Sequence, residues 1–337
     1  MPADSLPSLR QRLAPTFALL FLAPLIAEIL SGSTPFRALF VFPIEMCVWG
    51  GGALLIRHAV RRFGLGWAAM LALALALAMA EETVIQQSSL APLVIMLKGE
   101  VYARAFGVNY LYLLWALVYE CVFVVFVPVC LVELIFPERR GQVWMGKIGV
   151  AVTMFFFVIG SVLAWFAWTH IARVKVFHQP MFVPPVATMV VSLAIIATLI
   201  ALSFGPLRNA TIRSSVRIPP TWLLAVLGAA WSLLWYALLV LAFGIAPSVP
   251  PAIPMAAGSL IAAAMLYAVP QWITSGGWTR RHALWLIAGT IFGLMAVSFV
   301  GFLGPPNADL YFKIATNVLA ATGLCALAWR LRGQSPA

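Results

Sequence analysis

Apolar runs of about 20 residues recur along the whole chain, and they dictate its fold class. At about 1.5 Å of helical rise per residue, such a run bridges the roughly 30 Å hydrocarbon core of a bilayer. Ten of them fall at about residues 13–31, 36–57, 67–89, 108–136, 147–170, 183–204, 221–244, 252–273, 282–303 and 309–331. The connections carry turn formers, as in Ser31-Gly32-Ser33-Thr34-Pro35 and Gly304-Pro305-Pro306, and none is long enough for a soluble domain. The expected fold is all-α: a polytopic transmembrane bundle of about ten helices, forming a single integral membrane domain over residues 1–337. Composition agrees. The chain is 63% hydrophobic and 9% charged, whereas a soluble domain carries about 25% charged residues.

Basic residues set the expected orientation. With the N-terminus in the cytoplasm, fifteen of the 21 Lys and Arg residues fall on the inner side, in six clusters. These are Arg10 and Arg12; Arg57, Arg61 and Arg62; Arg139, Arg140 and Lys147; Arg208, Arg213 and Arg217; Arg280 and Arg281; and Arg330 and Arg332. Arg37, Lys98, Arg104, Arg173, Lys175 and Lys313 make up the outer set. Cytoplasmic connections carry the basic excess, so both termini are expected inside, in the inner or plasma membrane of a bacterial cell. The net charge of +11 then reads as a topology signal, with the bilayer as partner and no nucleic acid. The first run holds Pro24 and Glu28 and reads as a retained helix rather than a cleaved leader. Residues 90–97 are apolar but too short to span, and are expected at the outer interface or re-entering the membrane.

The acids divide the chain. Nine of the ten precede residue 140, so helices over 13–170 contain acids while those over 183–331 are apolar. Five glutamates fall inside apolar runs: Glu28, Glu45, Glu81, Glu82 and Glu120. From their distance to the run ends they lie roughly 8–18 Å below the outer edge. Ionisable groups there are costly and face protein or water, not lipid. Glu82, Gln86 and Ser89 follow helical i, i+4, i+7 spacing, with Glu81 and Ser88 beside them. Pro24, Pro43 and Pro128 accompany the acids, as suits bent helices lining a cavity. Asn109, Tyr112 and Tyr119 enrich the outer part of the fourth run and are candidates to line the same cavity.

Crowded carboxyls in a dry cavity resist ionising together. That suits proton coupling, recognition of a cationic substrate, or general acid–base chemistry. The structural alternative is neutralisation by Arg37, Lys98 and Arg104. Glu133 is expected to pair at the surface with its basic neighbours. His170 and His178, near the outer end of the fifth run, are the histidines placed to join the acids. No tight metal-ligand motif exists, so neither metal nor cofactor is expected. Cys47, Cys121, Cys130 and Cys325 all sit in apolar runs and read as small buried hydrophobes. Gly50-Gly51-Gly52 reads as close helix packing.

Four pieces carry a resemblance: Gly52–Arg57 (Gly-Ala-Leu-Leu-Ile-Arg), Glu81-Glu82, Gly107-Val108-Asn109, and Leu131–Pro137 (Leu-Val-Glu-Leu-Ile-Phe-Pro). Across Phe42–Gly149 the chain resembles a group of uncharacterised bacterial polytopic membrane proteins, which implies no assigned activity. Glu81-Glu82 is also similar to the di-glutamate of the CAAX-protease and bacteriocin-processing intramembrane proteases. In that family the dipeptide is followed by an arginine, and a glutamate activates water with histidines on later helices. This chain departs from that pattern, with Gln86 at the arginine position and Glu120 near the first histidine position. The expected function is a proton- or cation-coupled transporter of a small molecule or peptide. Glu82 and Glu120 would carry the proton or cation, with Glu81 and Glu45 beside them. The alternatives are an intramembrane glutamate-dependent hydrolase and a non-catalytic scaffold.

Overall fold

The computed structural model describes residues 9–94, 102–212 and 214–332. Ten helices account for most of them: α1 (residues 9–29), α2 (Phe36–Phe63), α3 (Trp67–Ile85), α4 (Tyr110–Ile135), α5 (Lys147–Val176), α6 (Val186–Phe204), α7 (Thr221–Ala242), α8 (Ala252–Thr274), α9 (Arg280–Phe302) and α10 (Ala308–Arg332). Nine are long and apolar enough to cross a membrane, and the apolar part of α1, Leu13–Ile29, is shorter. The chain is a multi-pass helical membrane protein.

Contacts between the connections sort them onto two sides. On one, Arg208 donates to the Phe63 carbonyl at 3.0 Å and the Gly66 amide to the Arg208 carbonyl at 2.9 Å. Arg330, at the end of α10, reaches the Ile135 carbonyl at the end of α4, 2.7 Å away. On the other, Arg37 meets Asp309 at 3.4 Å, and Arg173 at the end of α5 donates to the Pro92 carbonyl at 2.8 Å. Each of these contacts joins two connections or helix ends that the basic pattern assigns to the same side. Arg213, Lys98, Glu100 and residues 95–97 of the short apolar stretch lie outside the described residues, as do the side chains of Arg10 and Arg12.

The centre of the bundle is set by exposure. In α4, 72% of the most apolar window is buried, against 11% in α5, α6 and α8. Two of these peripheral helices, α5 and α6, are no less apolar than the central one. Lipid, not protein, is what their side chains are matched to.

Several boundaries differ from expectation. α2 continues to Phe63, where Gly64 turns out at a φ of 63°, so Arg57 and His58 are helical rather than in a connection. α5 continues to Val176, which makes Arg173 helical too. Lys313, expected in an outer connection, lies inside α10 and is buried. His282 forms a capping box with Thr279 at the start of α9. The fourth run does not begin as a helix at residue 108. Val108–Asn109 (β2) pairs antiparallel with Arg104–Ala105 (β1), turned by Phe106 and Gly107 at φ of 51° and 80°. Two successive positive φ values are what a two-residue hairpin turn demands, and Gly107 meets one at no steric cost.

Asn109 ties this hairpin down. Its side chain accepts from the Tyr112 amide at 2.8 Å, capping α4, and donates to the Tyr102 and Ala242 carbonyls. Asn109→Ala removes a helix cap and leaves buried carbonyls unpaired. The expected loss is about 1–2 kcal/mol, read as a lowered unfolding temperature of the purified protein.

Candidate functional site: five carboxyls at wide helical turns

The first five helices are not uniformly α. Each contains a stretch of π-helix, with hydrogen bonds from i to i+5: Leu25–Ile29, Met46–Gly50, Glu81–Ile85, Cys121–Phe126 and Ala167–Val176. None of α6–α10 has one among the described residues. Such turns are rare and gather at functional sites. All five intramembrane glutamates lie on one or directly before one. Glu28 is in the first, Glu45 precedes the second, Glu81 and Glu82 open the third, and Glu120 precedes the fourth.

Prolines explain part of this. Pro24 directly precedes the first wide turn, and Pro128 follows the fourth, where its missing N–H interrupts the α ladder. Pro43 sits in the first turn of its helical stretch, where no N–H is needed. Two carbonyls of the first wide turn find side-chain donors. Tyr119 Oη donates to the Ala27 carbonyl at 2.6 Å, and Ser31 Oγ to the Glu28 carbonyl at 3.0 Å.

These turns bring the acids of four helices together. Glu28 lies within electrostatic reach of Glu45 and Glu81, Glu81 of Glu82 and Glu45, and Glu120 of Glu81, Glu82 and Glu28. Glu81 is 2% exposed, and Glu45, Glu82 and Glu120 are buried with it, while Glu28 is half-buried. Few of their oxygens have partners. Glu45 Oε1 accepts from Thr34 Oγ1 at 2.5 Å, and Glu82 Oε2 from Ser89 Oγ at 2.6 Å. Both oxygens of Glu81, Glu45 Oε2 and Glu120 Oε2 are buried with no protein hydrogen-bond partner. A bare carboxylate in such surroundings costs several kcal/mol, so a proton or a cation is the natural complement.

Two of the three bases expected to neutralise them, Arg37 and Arg104, are engaged elsewhere, and Lys98 lies outside the described residues. Arg37 is exposed and pairs with Asp309, so it stands apart from the cluster. Arg104 donates to the backbone carbonyls of Leu90, Ala91 and Gly107. All ion pairs among the described residues go to Asp309 or Glu133. Glu133 shows the contrast. It is not at the surface but buried, taking Arg57 at 3.2 Å, Arg61 at 2.7 Å and Arg140 at 3.5 Å.

Other expectations need correction. The stripe Glu82, Gln86, Ser89 is not α-helical, because α3 ends at Ile85 and the chain turns back through Gln87 at a φ of 60°. That reversal, rather than helical spacing, brings Ser89 to Glu82. Gln86 is half-buried, whereas its neighbour Gln87 is buried, with a side-chain oxygen that has no partner. His170 hydrogen-bonds Thr169 at 2.7 Å and stacks on Phe166 at 5.0 Å, with no contact to the acids. Asn109 serves the hairpin and the α4 cap. No group of three or more His, Cys, Asp or Glu side chains among the described residues is placed to hold a metal.

Sequence reasoning finds Tyr112 and Tyr119 but misses the rest of the site's other wall. Tyr112, Trp115, Tyr119 and Phe123 climb α4 at i, i+3, i+7, i+11, with successive ring centroids 5.8, 4.8 and 4.8 Å apart. Trp231, Trp235 and Tyr236 of α7 continue the array, Phe123 to Trp231 at 6.1 Å and Trp115 to Tyr236 at 6.3 Å. The phenols of Tyr112, Tyr119 and Tyr236 all lie within electrostatic reach of Glu28. The apolar C-terminal half thus contributes directly. The helical spacing of aromatics in α4 was the available signal. Against models of protein families, curated proteins and solved structures, the chain matches none.

Proposed function

We propose that this multi-pass protein is a proton- or cation-coupled transporter of the bacterial inner membrane. Glu82 and Glu120 carry the proton or cation, and Glu28, Glu45 and Glu81 share the charge. One observation carries the reading: five carboxyls from four helices meet at wide helical turns, with oxygens left unpartnered and no base ion-paired to them among the described residues. Buried acids held for structure alone are paired, as Glu133 is. Unpaired ones need an exchangeable partner. The hydrolase alternative lacks a histidine at the cluster, since His170 is held by Thr169 and Phe166. The scaffold alternative loses two of its bases, Arg37 and Arg104, to other partners.

The test uses proteoliposomes with a trapped pH-sensitive dye and an imposed pH gradient. Wild-type protein is expected to carry proton flux well above empty liposomes. Glu82→Gln and Glu120→Gln should each reduce it to the empty-liposome level while leaving the unfolding temperature near wild type. Flux that survives both substitutions sinks the assigned roles.

A further inference from the structure

A polar side chain that protein leaves unpaired is ordinarily satisfied by water, and α10 carries one at a depth that water does not reach. Asn317 lies about 14 Å below the outer end of α10, inside the hydrocarbon core. It is 8% exposed, and both its amide nitrogen and its amide oxygen are buried without a hydrogen-bond partner among the described residues. Other polar groups on α9 and α10 are paired. Lys313 Nζ donates to Ser298 Oγ at 2.6 Å, and Thr290 Oγ1 to the Leu286 carbonyl at 2.9 Å. An unpaired amide in hydrocarbon is costly, so Asn317 is the exception that calls for a partner.

Asn317 borders a groove of about 320 Å³ between α9 and α10. Phe292, Met295 and Phe299 line one side, and Ile314 and Val318 the other. Phe292 and Val318 are exposed, so the groove opens toward lipid. From Phe292 to Phe299 it runs about 10 Å along α9. Its volume is at the lower end of ligand sites and suits one chain rather than two. No charged side chain lines it. Lys313 is committed to Ser298 and the Leu30 carbonyl, so an anionic head group has no cation to meet here. A plain acyl chain would fill the groove and leave the amide unmet. A hydroxyl accepts from the amide N–H or donates to the amide oxygen without bringing charge into lipid. The χ2 torsion of an asparagine is broad, so either amide atom can turn toward the groove.

We propose that the α9–α10 groove binds a single-chain lipid alcohol, with its chain along the groove and its hydroxyl on the Asn317 amide. None of the five clustered glutamates lines this groove, and the assignment stands independently of the transporter reading.

The test uses the purified full chain in detergent and a photoreactive diazirine derivative of dodecanol, with adducts located by mass spectrometry. Adducts should fall on residues 292–299 and 314–321. Dodecanol should compete for this labelling about tenfold better than dodecane at equal mole fraction in the micelle, the worth of one hydrogen bond to a buried group. Farnesol, an isoprenoid alcohol, is the second competitor, and the stronger of the two alcohols identifies the chain type. Asn317→Leu keeps the side-chain volume and removes the amide, so it should bring dodecanol down to the dodecane level. Ala321 also lines the groove and is half-buried, and Ala321→Phe should block labelling with the amide still in place. Unfolding temperatures near wild type establish that both variants are folded. Dodecane competing as well as dodecanol overturns the proposal without any variant, because the groove would then take any apolar chain. Adducts spread over the other lipid-facing helices overturn it too. So does a preference for the alcohol that survives Asn317→Leu, or labelling that survives Ala321→Phe.

Discussion

Glu133→Leu is expected to be among the most destabilising single substitutions in this chain, costing about 3–5 kcal/mol. Arg57 is 1% exposed, and Glu133 is its only counter-ion among the described residues. The rest of the guanidinium is committed to backbone: Nη1 to the Gln142 carbonyl at 3.0 Å, and Nη2 to the Arg140 carbonyl at 2.8 Å. Its flat face lies over the Trp144 ring at 3.2 Å. Removing the carboxylate leaves that charge buried with dipoles alone to offset it. It also releases Arg61, which holds both Glu133 oxygens at 2.7 and 2.9 Å. The paired change Arg57→Met with Glu133→Leu should recover part of the loss, because an apolar pair needs no desolvation. Thermal unfolding of the two singles and the double in one detergent decides it. A double as unstable as the sum of the singles would refute the coupling.

Gly289→Leu should separate α9 from α7. A Cβ at Gly289 would sit 2.0 Å from the Ala225 carbonyl oxygen, and one at Gly293 2.6 Å from that of Ala229. Facing them, a Cβ at Gly228 would lie 2.6 Å from the Leu286 carbonyl oxygen. The two backbones touch where these glycines meet, and Ser232 Oγ donates across the contact to the Thr290 carbonyl at 2.8 Å. In lipid no hydrophobic force joins two apolar helices, so such packing is what holds them. Even Ala at 289 collides with rigid backbone, and Leu forces the helices apart at a cost of about 3 kcal/mol. An unchanged unfolding temperature for Gly289→Leu would contradict the geometry.

The sequence was most informative where the physics is one-dimensional. Ten apolar runs and their alternating bases follow from bilayer thickness and insertion, and the helices lie where those rules put them. Gly50-Gly51-Gly52 also reads correctly. A Cβ at the first would strike the Leu20 backbone at 2.3 Å, and at the third the Leu77 side chain at 2.7 Å. The spacing Gly289-x-x-x-Gly293 carried the same message. The grouping of the glutamates at one depth was legible, because depth is a count along the chain. Their azimuth was not, since it depends on i to i+5 turns that leave no residue signature beyond a nearby proline. Long-range partners were hidden too. Nothing local reveals that Arg57 reaches Glu133, or that Lys313 is buried, donating to Ser298 Oγ at 2.6 Å and to the Leu30 carbonyl.

The wide turns have a further consequence. A π turn houses one surplus residue within an otherwise α-helical span. If the surplus moves along the helix by a turn, the residues it passes rotate by about 100° and advance about 1.5 Å, while the helix ends stay fixed. Each of α1–α4 thus holds its carboxyl beside a built-in vernier. Which way an acid points is indexed by where the extra residue is stored, so the cluster can be re-aimed without any helix tilting, sliding or unwinding at its ends.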